Sequence, residues 1–421
     1  MKKLNNTIKI WSLAALSSMV MFTSCNKDLD TFAPIATPTY PIGNIPGSLS
    51  IARTLAANPN DSMFYRMLVR SGLLNNYNDS TKNLTLFAVD NDGMKVFVNA
   101  ASGGAVPLTA PDAIFAGFIS STLPAATAAA IIQYNTLGQK YPFANFGSTF
   151  PNYPAPTLFQ LDPVNTPFLR MTICPTNSTS FKYVNNIPAT GQPDLLASNG
   201  IIHHTFTVVA PPSMLLKGLI ATKPNLSYFR AAIARADSGA VGLGRLDSLL
   251  NFGALNMTVL PPVDSAFQKI VFGLAFSAAL NAGATPAIAL ATANGAVAAG
   301  PAFLGTNNVS TALVRGILAY HFIASGTGAT TSPNRRIFSV NVPSSPAFLN
   351  TLVNGAVAAH PGIRAQATFT GPVATNVSFI GLGTFPSGGA PFSSPASVVI
   401  DKDNHAVNGV FHIIDRVLLP Q

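Results

Sequence analysis

The chain has 421 residues, 24 basic against 15 acidic side chains for a formal charge of +9, and only two cysteines. Arg335-Arg336 is the only adjacent Arg pair and no longer Lys/Arg block occurs, which argues against a nucleic-acid surface, since that needs a clustered basic stripe. Every acid is Asp, and the wealth of Ala, Val, Thr, Asn, Gly and Pro suits a β-rich protein outside the cytoplasm.

The amino terminus reads as an export leader. Lys2, Lys3 and Lys9 precede an apolar run from Ile10 to Phe22, too short for a membrane span of about 20 residues. Phe22-Thr23-Ser24-Cys25 resembles a lipobox, with Phe22 standing where that pattern has an aliphatic residue. Residues 1–24 are then a lipoprotein signal peptide, and Cys25 is the lipidated first residue of the mature chain. Asp28 and Asp30 resemble surface-export signals that follow such a cysteine, so the expected place is the outer face of the cell outer membrane, with the periplasmic face as the alternative. The membrane is expected to be met through the lipid alone. Residues 25–47 carry Pro34, Pro38, Pro41 and Pro46 and read as an extended tether. Cys174 is left without a disulfide partner, so hydrophobic cores must hold the domains. In Met171-Thr172-Ile173-Cys174-Pro175 it reads as a small buried hydrophobe.

From residue 48 onward four segments occur twice in the same order. The first runs from Asn58 to Arg70 and returns at Thr222 to Arg235. Phe64, Met67 and Leu68, like Phe229, Ala232 and Ile233, fall on one helical face. Leu84 to Met94 returns at Met257 to Phe267 as strand, polar turn and helix start. Asp264-Ser265 is the expected cap of that helix. Ile131-Ile132-Gln133-Tyr134-Asn135 returns as Ile317-Leu318-Ala319-Tyr320-His321, and Asn199-Gly200-Ile201-Ile202-His203 as Asn408-Gly409-Val410-Phe411-His412. The offsets grow through 165, 173, 186 and 209, as tandem duplication with insertions in the second copy requires. The Ala-rich stretch from Phe276 to Leu304, broken by Pro286 and Pro301, reads as helices inside a domain. From Val410 to Leu419 both alternating faces are mostly apolar, as in a strand buried on two sides.

These segments resemble the fasciclin domain family, most fully at Thr258 to Phe267, at Tyr320-His321, and at Asn408 to Pro420, which includes Asp415. The first copy is looser, with Tyr134-Asn135 for the pair and no Asp in the stretch after His203. Stretches 136–190 and 322–395 align with nothing. The resemblance implies an α+β fold of two tandem domains, 48–212 and 213–421. Each would be a β-sandwich-like wedge with helices packed along one side. It further implies adhesion: a non-catalytic surface or scaffold protein that binds extracellular protein, matrix or glycan partners. The alternative is an accessory glycan-binding lipoprotein of a nutrient-import system. Tyr134, Asn135, His203, Tyr320, His321, His412 and Asp415 are the family-motif positions, read as structural. Two separate cores would melt in two steps.

Residue types that carry chemistry point the same way. No G-x-S-x-G, G-x-G-x-x-G or P-loop pattern occurs, so no catalytic residue and no cofactor is expected. His203-His204 would face opposite sides of a strand and could not share a metal ion. Asp401-Lys402-Asp403-Asn404 lacks the glycine and bidentate acid of a calcium loop, and a hairpin turn is expected there. Tyr141, Phe143, Phe146, Phe150 and Tyr153 are either core or an exposed sugar-stacking platform.

Overall fold

Each half of the chain opens with helices and closes on a strand that returns to pair with its first one. In the computed structural model, residues 47, 49–147, 150, 154–178, 180–306, 309–383, 392 and 395–421 are described. The leader, Cys25, the tether to residue 46 and Tyr153 lie outside them.

Ser50 starts the first helix, Ile51–Ala57, by accepting the amide of Arg53. Helix Ser62–Arg70 buries Met63, Phe64, Met67 and Leu68 and stops near Gly72, whose φ of 73° suits glycine. Its counterpart Ser227–Ala236 buries Phe229, Ala232 and Ile233.

The first sheet has eight strands: β1 (Leu84–Ala88), β2 (Thr136–Leu137), β3 (Ala155–Asp162), β4 (Thr166–Ile173), β5 (Pro175–Asn177), β6 (Lys182–Val184), β7 (Ile187–Ala197) and β8 (Gly200–Thr205). Their order is β4-β3-β2-β1-β8-β7-β6-β5. The second has β9 (Met257–Val259), β10 (Phe322–Ile323), β11 (Ala347–Leu349), β12 (Ile363–Thr370), β13 (Val373–Ile380), β14 (Ser397–Ala406) and β15 (Gly409–Ile414), ordered β10-β9-β15-β14-β13-β12-β11. Among the strands of the described residues one parallel pair in each sheet joins first strand to last, at the centre of the first sheet and one strand in from the β10 edge of the second. Leu84 faces Gly200 in β1·β8, and Met257 faces Gly409 in β9·β15. The fold class is α+β.

Central strands are covered on both faces. Leu84, Leu86 and Ala88 pack under the helices with Phe64, Met67 and Val98. Phe87, on the other face, packs with Phe143, Phe146 and Ile173. In the second half Val259 and Phe411 face the helical core, whereas Ile414 and Tyr320 pack with β12 and β13. All of Gly409–Ile414 is buried, as its two apolar faces require.

The Ala-rich stretch is helical, as its composition suggests, and belongs to a pair of packed helices, Asp264–Asn281 and Pro286–Ala298. Three features differ from expectation. First, Asp264 sits inside the helix Asp264–Asn281 and does not cap it. Its carboxylate instead accepts the Tyr228 amide at 2.9 Å and the Ser227 hydroxyl at 2.7 Å, tying down the start of the neighbouring helix. The Asn91 side-chain oxygen does the same for Met63 and Ser62, accepting the amide at 3.0 Å and the hydroxyl at 3.3 Å. Second, Asp401 to Asn404 is not a turn but an irregularity within β14, where the register against β15 shifts and Asp403 has a φ of 59°. The tight turn lies at Val407-Asn408, between Ala406 and Gly409.

Third, the halves are not independent, although the main helical core of each stays within its own half. Cys174 and Tyr183 of the first half share one buried cluster with Phe338, Val340 and Val410 of the second. The Tyr183 hydroxyl donates to Pro372 O at 2.9 Å, and Thr172 to Asn256 at 2.7 Å. Phe150 packs against the second half's core. Among the described residues no single helix is long and apolar enough to cross a membrane.

Gly409 tests this coupling. A Cβ there would stand 2.3 Å from Met257 O, backbone that cannot rotate away, so Gly409→Ala must push β9 and β15 apart. A loss of about 2 kcal/mol or more is expected. Because the halves share a core, calorimetry of the variant should show one transition at lower temperature. A second-half transition splitting from an unmoved first-half one would contradict the shared core. Gly117→Ala, where a Cβ meets nothing within 4 Å, is the control.

Candidate functional site

The motif positions converge on the parallel strand pair, and they do so twice. Asn199 Oδ1 accepts the Ile51 amide at 2.8 Å, and its Nδ2 donates to Tyr77 O at 2.9 Å and Asp79 O at 3.0 Å. Asn408 repeats this with Leu216 at 2.8 Å, Leu250 O at 3.0 Å and Phe252 O at 3.2 Å. One amide thus fastens the last strand to the first helix and to the loop before the first strand. Thr85 and Thr258 make a second matched stitch. Thr85 donates to Gln139 O and accepts from the Tyr141 amide. Thr258 donates to Arg335 O and accepts from the Ile337 amide.

His203 and His412 lie under those same loops. His203 Nδ1 accepts the Asp194 amide at 3.2 Å, leaving Nε2–H to donate to Tyr141 O at 2.8 Å. His412 bonds the Asp403 amide at 3.1 Å and Ile337 O at 2.9 Å. Asp194 and Asp403 both adopt left-handed backbone, with φ of 64° and 59°. Their carboxylates receive the amides of Phe143 and Ser339. Burial pushes His203 down to about 4, opposed in part by its bond to Tyr141 O.

The Tyr-His pair closes the other end. Tyr320 donates to Gly362 O and accepts from the Leu382 amide, and burial pushes its hydroxyl up to about 12. His321 is fully buried. Its Nδ1–H donates to Ile317 O at 2.8 Å, and its Nε2 accepts the Leu418 amide at 3.0 Å. Acceptance at Nε2 needs the neutral ring, and burial pushes its pKa down to about 4. Asn135 occupies the same place in the first half. Its Nδ2 donates to Ile131 O and to Val209 O, both at 2.8 Å, so an amide spans the same gap with two donor bonds. Tyr134 donates to Thr172 O at 3.0 Å. Asp415 accepts the Val398 amide at 2.7 Å and holds β14 beside the chain end.

The remaining reactive types are also engaged. His204 turns away from His203 and bonds Asp61 at 2.9 Å, a polar pair where the second half has Leu226 and Ile413. His360 bonds Pro420 O and His405 accepts from Arg336. Burial raises the Cys174 thiol to about 11, which disfavours a nucleophilic thiolate. No cluster of three His, Cys or Asp able to hold a metal occurs among the described residues. Tyr141, Phe143 and Phe146 are buried, Phe143 with its ring 4.6 Å from that of His203. These three rings fill the core and form no sugar platform. Sequence reasoning missed Asn199, Asn408, Thr85, Thr258, Asp194 and Asp403 as a set. The signal was present, since each pair recurs at the offset of its own segment.

No protein-family model matches the chain, and no well-characterised protein matches it in sequence. Among solved structures it is similar to a FAS1 domain pair from the insect cell adhesion molecule fasciclin I, at 13% identity, covering 86% of this chain and 97% of that one, with a TM-score of 0.32.

His321 offers a direct test of these bonds. His321→Ala leaves a buried carbonyl and amide unpaired, at a cost of about 1–3 kcal/mol. His321→Asn should recover most of it, as Asn135 shows how an amide spans the gap. The variants also differ from wild type in acid. Between pH 6.5 and 4 the unfolded ring takes up a proton that the folded ring refuses, so stability falls as pH drops, by about 1.4 kcal/mol per unit for each such ring. Urea titrations across that window should show a shallower fall for His321→Asn. An unchanged slope would refute the buried neutral ring.

Proposed function

We propose that the chain is a lipid-anchored, non-catalytic binding protein built from two fasciclin-type domains, 48–212 and 213–421, and that it serves adhesion or scaffolding at the cell surface. One observation carries this reading. The polar residues of the fasciclin-like motif recur in both halves and spend their hydrogen bonds on closing the fold. On this view Tyr134, Asn135, His203, Tyr320, His321, His412 and Asp415 are structural. Binding then falls to the surface, where partners would be extracellular protein, matrix or glycan.

The anchor in this proposal is Cys25, followed by a proline-rich segment that would serve as a tether. Asp28 and Asp30 favour the outer face of the outer membrane. The glycan-binding alternative no longer draws on the aromatic loop, because three of its rings are packed inside.

Two readouts test the proposal. Metabolic labelling with a fatty-acid analogue should mark the wild-type chain and not Cys25→Ser, because only the thiol accepts the diacylglyceryl group. A matrix-protein and glycan array probed with purified residues 26–421 should return a ligand. Label on the Cys25→Ser chain would refute the anchor, and an array with no ligand would remove the binding role.

A further inference from the structure

Where the two halves meet, a buried cation rests on a histidine instead of an acid. The Arg336 guanidinium donates through Nη1 to His405 Nε2 at 2.9 Å and through Nη2 to Val407 O at 2.8 Å. Its Nε is buried and has no partner among the described residues. The first half presses on this group from the other side. The Tyr134 ring, at the end of the helix Ala125–Tyr134, lies 6.4 Å from that of His405. Val407 packs against the first-half cluster that holds Tyr134 and Phe143. The Tyr134 hydroxyl and the Cys174 thiol both feel the charge of Arg336.

The groups facing His405 are therefore Arg336, Tyr134 and the Phe338 ring, which meets it edge-on at 5.3 Å. Asp403, two residues earlier on β14, turns its carboxylate to the Ser339 amide and hydroxyl. His412 on β15 is turned to the Asp403 amide and Ile337 O. A guanidinium can only donate, so the bond from Arg336 exists only while His405 Nε2 carries no proton. A protonated ring would lose that bond and set a second cation against the first, where little water screens them. The bond to Val407 O and its own burial keep Arg336 from turning away while the halves are closed.

We propose that the seam is an acid-labile joint: His405 takes a proton as the halves part, and each half keeps its own helical core when they do. Parting frees His405 from Tyr134 and lifts Phe338, Val340 and Val410 off Cys174. Acid thereby releases the two halves from their fixed orientation. In the closed body burial and the guanidinium hold His405 well below its ordinary value of 6.5. The open form takes up the proton from about pH 6.5 downward, so opening gains about tenfold per pH unit.

Cys174 is a reporter for this step, because its cover comes from the second half. In the full chain carrying Cys25→Ser it is the only thiol. Its reaction with dithiodipyridine, a reagent active in acid, divided by the rate of the urea-unfolded chain at the same pH, measures the open fraction. That ratio should rise about tenfold per unit between about pH 6.5 and 4.5. His405→Gln, whose amide oxygen accepts from Arg336 and does not titrate, should give a flat profile. Global unfolding would also protonate His203 and His321, whose rings burial pushes down to about 4, and so would rise about a thousandfold per unit. The proposal is overturned by a flat wild-type profile, by a thousandfold slope, or by a His405→Gln profile as steep as wild type. Should His405→Gln fail to fold, the wild-type slope still decides.

Discussion

Everything in each half depends on closing a long loop into a parallel strand pair. β1 and β8 meet across more than a hundred residues, as do β9 and β15. Parallel neighbours cannot be joined by a tight turn, so the chain must lose much entropy before the contact forms. The structure concentrates its polar bonding there. Asn199 and Asn408 reach from the returning strand to both the first helix and the preceding loop, and Gly200 and Gly409 let the backbones approach where a side chain would collide.

The duplicated halves also separate what the closure needs from what varies. Asn, His and the left-handed Asp recur with the same bonds, so they belong to the closure itself. Other positions solve one problem in two ways. His321 joins a carbonyl and an amide, whereas Asn135 joins two carbonyls. The difference follows from which backbone group the chain end presents, Leu418 N–H or Val209 C=O. Asp61 and His204 form a bonded pair where Leu226 and Ile413 simply pack. A buried polar pair and a buried apolar pair both satisfy the interior, provided neither is left half-made.

Much of this was legible in the sequence, because it is local or repeated. The helix faces, the strand buried on both sides and the four recurring segments can be read from spacing. What was not legible depends on distant partners. Asp264 looks like the cap of its own helix, yet its carboxylate reaches a helix start 36 residues earlier. Asp401 to Asn404 has turn composition, but the bonds from Asp403 to Ser339 and His412 keep it within a strand. The hairpin of β3 and β4 lies in the stretch 136–190 that aligned with nothing, and among the described residues the second sheet has no strand beyond β10 to match it.

The seam between the halves is the last consequence. Arg336 is 1% exposed, donates to His405 at 2.9 Å and Val407 O at 2.8 Å, and has no carboxylate within ion-pair distance among the described residues. Charged side chains are rarely buried without a counter-ion, because desolvation costs several kcal/mol. Here neutral acceptors replace the carboxylate. His405 must keep Nε2 unprotonated to accept, and burial together with the neighbouring guanidinium holds its pKa well below the ordinary value. Tyr134 from the first half lies against the His405 ring at 6.4 Å. Separating the halves would therefore strip Tyr134 from His405 and Cys174 and Tyr183 from Phe338, Val340 and Val410 in one event. The duplication supplied two similar closures, and the seam makes them one body. Any surface the protein offers a partner is then held in a fixed orientation by cores on both sides.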